Sequence, residues 1–112
     1  MKKINILGTE YLILLDVDEK EMPEYADGCV DTSTKTIRLS KQEQDRNSLQ
    51  NLEAYKKKVL RHEIIHAFLY ESGLSVNTKD CGAWAVNEEM VDWFAIMFPK
   101  IKKAYMDADC LE

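Results

Sequence analysis

The sequence predicts an α+β protein, with a small antiparallel sheet of two hairpins coming first and helices packed on it afterwards. Three observations carry this. The first forty residues form short runs, rich in β-branched side chains, broken by turn residues. After Ser40 the apolar residues recur at steps of three and four. The order along the chain is therefore strands first and helices afterwards.

The first hairpin is expected where Ile4–Leu7 and Tyr11–Val17 flank Gly8-Thr9, because glycine suits the first position of a two-residue II′ turn. Acidic residues and Pro23 make 19–24 a loop. A second hairpin is expected from Gly28–Asp31 and Thr36–Leu39, turning through Thr32-Ser33-Thr34-Lys35. Ser40 with Glu43, and Asn47 with Gln50, have capping-box spacing. Leu52, Tyr55, Val59, His62, His66 and Leu69 then mark one helical face, which ends at Gly73, a natural C-terminal cap. Ser75–Gly82 reads as a loop. Val91, Phe94, Ala95 and Phe98 predict a helix over 83–98, and Pro99 is expected to end it and open a short last helix over 100–107. Trp84, Trp93, Phe94 and Phe98 are expected in the core, as aromatics at helical spacing usually are.

The chain has 112 residues, 46% hydrophobic and 31% charged, which suits one soluble domain spanning 1–112. Its longest apolar run, Tyr11–Leu15, is too short to span a membrane. Met1-Lys2-Lys3 resembles the start of a signal peptide, but Gly8-Thr9-Glu10 interrupts the apolar stretch after it, so a cytoplasmic protein is expected. A net charge of −5 argues against general nucleic-acid binding, which needs cationic surface. The lysines at 56–58 and 100–103 read as solvated helix faces. Cys29, Cys81 and Cys110 are odd in number and contain no CxxC, so reduced thiols are expected.

Both histidines of the chain fall in His62-Glu63-Ile64-Ile65-His66. On a helix, positions i and i+4 share a face, so two imidazoles can reach one metal ion while the adjacent glutamate serves as general base. The alternative is a pair of core histidines bonded to backbone carbonyls. A catalytic zinc takes a third protein ligand and keeps one position for water. Glu88, 22 residues beyond His66, is the candidate. Asp92, one turn later on the same face, can accept a hydrogen bond from a ligating imidazole. Glu88, Glu89 and Asp92 would equally serve as the acidic first turns of a helix.

HExxH followed by Asn87-Glu88 and Asp92 resembles the gluzincin pattern of thermolysin-like metallopeptidases. The stretch 88–95 is also similar to the E-x-x-A-x-x-F-A helix of the ImmA/IrrE family, small metallopeptidases common in prophages and mobile elements. It differs in having Val91 where alanine is usual. The resemblance implies a zincin-like fold and one zinc ion held by His62, His66 and Glu88. It also implies a protein or peptide substrate, with Glu63 as the general base. No third histidine exists to stabilise an oxyanion, which leaves Tyr55, Tyr70, Tyr105 or the zinc alone. In zincins the substrate lies along a sheet edge, and Thr36–Leu39 is the candidate strand.

Three rival readings exist. Asp27-Gly28-Cys29-Val30-Asp31 faintly resembles the E-G-C-L-S segment of peptide deformylases, which would make Cys29 a metal ligand, although Ile65 replaces the aspartate of that family's helix. Cys81 could instead approach the metal as an inhibitory thiolate. A non-catalytic zinc-binding regulatory module is the alternative from another class, but it has no use for Glu63 as a base.

Overall fold

A computed structural model describes residues 2–24, 26–41, 51–76 and 88–112. β1 (Lys2–Ile6) and β2 (Thr9–Val17) pair antiparallel, with Ile6 opposite Thr9. The turn is therefore Leu7-Gly8, one residue earlier than expected. Its residues have φ of 52° and 94°. Positive φ at both central positions marks a type I′ turn rather than II′, with glycine at the second position. Asn5 Oδ1 accepts the Gly8 amide at 2.8 Å.

β3 (Gly28–Asp31) and β4 (Thr36–Ser40) form the second hairpin around the expected turn. The Asp31 carboxylate accepts hydrogen bonds from the Ser33 hydroxyl and from the Ser33 and Thr34 amides, and these hold its pKa below the usual carboxylate range. In the segment between the hairpins, Glu19–Glu21 forms a single 3-10 turn.

The way the hairpins join corrects the antiparallel expectation. The strand order is β1-β2-β4-β3, and β4 runs parallel to β2, with Leu12 opposite Thr36 and Ile13 opposite Ile37. The sheet is mixed. β4 is buried at Thr36, Ile37, Leu39 and Ser40, as an interior strand should be. Thr36–Leu39 therefore has both edges paired and offers none to a substrate; β3 is the edge strand on that side.

α1 (Leu52–Glu71) is capped by Asn51, whose side chain accepts the Ala54 amide at 3.0 Å. The expected capping partners Glu43, Asn47 and Gln50 lie outside the described residues. Gly73 closes the helix at φ 82°, donating to the Tyr70 carbonyl. The buried stripe of α1 is Leu60, Glu63, Ile64, Ala67 and Phe68, turned by about one residue from the face read in the sequence.

α2 (Glu88–Asp107) is one continuous helix through Pro99, not two. Ala95 and Pro99 are both exposed, so the carbonyl that proline leaves without a donor can face water. The part of the expected helix before Glu88, with Trp84, lies outside the described residues. Ile101, Ala104 and, half-buried, Trp93 and Met97 face the core; Phe94 and Phe98 are exposed, which corrects their expected placement. Almost every side of this helix is apolar near its middle, so periodicity alone did not select the buried face.

Both helices pack on one face of the sheet. Ile4, Ile6, Tyr11, Ile13, Ile37 and Leu39 from the strands meet Leu60, Ile64, Phe68 and Ile101 from the helices. The end of α1 is tied down by Glu71. Its carboxylate accepts from Thr9 Oγ1, Tyr11 Oη and Lys35 Nζ at 2.7–2.9 Å. Among the described residues, no helix is long and apolar enough to cross a membrane.

Candidate metal centre

His62 and His66 lie one turn apart on α1, and both are exposed at the border of the core stripe. Their Nε2 atoms are 3.1 Å apart and their rings meet edge to face, with centroids 4.7 Å apart. Core histidines bonded to backbone carbonyls are therefore not what the fold contains. Two nitrogens bound tetrahedrally to one zinc at about 2.0–2.1 Å would stand roughly 3.3 Å apart, close to this separation.

Glu63, next to His62 on the helix, is buried and only 5% exposed. Among the described residues its Oε2 has no hydrogen-bond partner. Burial raises its pKa above the ordinary carboxylate value, and the neighbouring His66 and His62 offset only part of that rise. The ligand atoms of His62, Glu63 and His66 all lie within 4.8 Å of one another, so these three residues could hold a metal ion.

Gly28 makes this placement of Glu63 possible. A Cβ built on Gly28 would stand 2.7 Å from Val59 Cγ1 and 3.1 Å from Glu63 Cγ, closer than packed carbon atoms tolerate. The edge strand thus approaches α1 at the residue that lacks a side chain. Asp27, Gly28, Tyr55, Lys58, Val59, His62 and Glu63 line a cleft of about 210 Å³. At one end the Tyr55 hydroxyl donates to Asp27 Oδ2, bridging α1 to the start of β3 and raising the phenol's pKa.

The remaining candidates fall in different places. Glu88 and Asp92 are exposed in the first turns of α2, and neither belongs to the His62–Glu63–His66 group. Cys29 follows Gly28 on β3, so its side chain faces the opposite side of the sheet, and it does not join the group either. Cys81 lies outside the described residues. Of the three tyrosines, Tyr55 lines the cleft. Tyr105 donates to the Arg61 carbonyl, and Tyr70 lies beneath Lys35 Nζ at 4.8 Å.

Sequence reasoning missed Gly28 and Asp27 as parts of the site. A glycine within a strand does signal close approach of another backbone or side chain, but it does not say to what. In comparisons with known protein families, curated proteins and solved structures, no match to this chain is found.

Proposed function

We propose that this protein is a zinc-dependent peptidase of gluzincin type acting on a protein or peptide partner. The observation that carries this reading is the buried Glu63 carboxylate, whose Oε2 has no hydrogen-bond partner among the described residues, beside two exposed histidines one turn apart. A buried polar atom without a partner is costly, and a purely structural metal site gains nothing from one. A general base needs a free oxygen held away from competing donors.

In this reading His62 and His66 hold the zinc and Glu88, from the first turn of α2, completes the protein ligands. Asp92 accepts a hydrogen bond from a ligating imidazole and fixes its tautomer. When bound, zinc supplies Lewis acidity, polarising the peptide carbonyl and making water nucleophilic near neutral pH. Glu63 takes the proton from the attacking water at Oε2 and hands it to the leaving amine. Strand β3, at the sheet edge beside the cleft, aligns an extended substrate by strand addition. A mixed four-stranded sheet with both helices on one face, and His62 in the cleft beside the edge strand, is consistent with a small zincin-like fold.

The Glu63→Gln variant separates this reading from a zinc-binding regulatory module. The expected result is unchanged zinc content with peptide cleavage reduced by about 10²–10⁴-fold, the usual contribution of a general base. Cleavage equal to that of the unaltered protein would overturn the assignment of Glu63. A biological function that survives the substitution would favour the binding module.

A further inference from the structure

A feature of the same cleft bears on which peptides it accepts, and it rests on the peptidase reading. From His62 and Glu63 the cleft extends along α1 to Tyr55 and Lys58, with Asp27 opposite. The two charges at this end differ in how they are engaged. Asp27 Oδ2 already accepts the Tyr55 hydroxyl. Lys58 is exposed, its Nζ lies 5.8 Å from the centre of the Tyr55 ring, and it forms no ion pair among the described residues. A ring contact leaves the three N–H donors of the ammonium open. Independently, the buried Glu63 carboxylate lines this cleft with Oε2 unpartnered among the described residues, which marks the cleft as a place for a ligand.

We infer that Lys58 selects peptides bearing a carboxylate about two residues from the bond to be cut. Lys58 precedes His62 by one helical turn, about 6 Å along the axis. That is roughly the span of two residues of an extended chain. The carboxylate is an Asp or Glu side chain or a free C-terminus; both present the same two oxygens to an ammonium group. The net charge of −5 repels such peptides at long range, so selection acts at contact.

The test uses the full zinc-loaded chain and peptide hydroxamates, which chelate zinc without being cleaved. One probe is neutral and amidated. A second carries Asp two residues from the hydroxamate, a third has a free C-terminal carboxylate there, and a fourth has Lys. By calorimetry, one carboxylate probe should bind about three- to fivefold more tightly than the neutral probe, as a partly exposed ion pair allows, and the Lys probe more weakly. The carboxylate probe that gains identifies the source. Lys58→Gln should bring the ratio close to one, and Lys58→Glu should invert it. Lys58 is exposed, and circular dichroism verifies that both variants fold. Equal affinities for all four probes, or an unchanged ratio in Lys58→Gln, overturn the inference while leaving the metal site standing. If no probe binds, or the chain takes up no zinc, the peptidase reading fails and the inference fails with it.

Discussion

Gly28 and Glu63 depend on each other. The glutamate can lie buried at the sheet edge because the strand passing over it has no side chain at that point. Gly28→Ala should therefore lower stability by about 1–3 kcal/mol, the usual cost of overpacking, since Val59 is β-branched and has little rotamer freedom on a helix. Urea unfolding checks this, and an unchanged midpoint would mean that α1 and β3 do not approach as described. The histidine pair and its glutamate were legible in the sequence because i, i+4 geometry is local and follows from the helical period. The Gly28 contact was not, because 31 to 35 residues separate its partners along the chain and no local pattern encodes that pairing.

At the scale of elements, α1 carries the site, and its C-terminal end is fixed by Glu71. That carboxylate bonds Thr9 and Tyr11 of β2 and Lys35 of the β3–β4 turn, so one side chain joins both hairpins to the helix. Lys35, followed by the Tyr11 and Thr9 hydroxyls, holds its pKa below the usual carboxylate range against the opposing effect of burial. Glu71→Gln keeps the shape and loses the charge, and it should cost about 1–3 kcal/mol in chemical denaturation. No measurable loss would show that the tie contributes nothing. The helices and the second hairpin could be read from periodicity and turn chemistry. The first turn was misplaced by one residue because Leu7 takes a positive φ, which leucine rarely does. Continuation of α2 through Pro99 was missed because tolerance of an interior proline depends on solvent at the Ala95 carbonyl, which is a property of the fold.

Across the whole molecule, the sheet is the part the sequence conveyed least. Each hairpin is local, but the parallel union of β2 with β4 is set by how both pack beneath the helices. Buried titratable groups in the core are expected to weaken the fold at alkaline pH. Burial raises the Cys110 thiol to about 11 from an ordinary 9.0, and it raises the Tyr11 and Tyr105 phenols as well. Below about pH 9 the thiol is protonated in both folded and unfolded chains. Between about pH 9 and 11 the unfolded chain loses its proton first, so stability falls through that window, and the phenols extend the loss at higher pH. Denaturation of the zinc-free protein should show this decline, with a shallower slope in Cys110→Ala; identical slopes would mean the thiol is not buried. Whether His62 and His66 hold a metal is decided by zinc K-edge X-ray absorption, with metal stoichiometry from the same sample. One zinc per chain with only nitrogen and oxygen neighbours at about 2.0–2.2 Å is expected. A sulfur neighbour near about 2.3 Å, or no zinc retained when zinc is supplied, would contradict it.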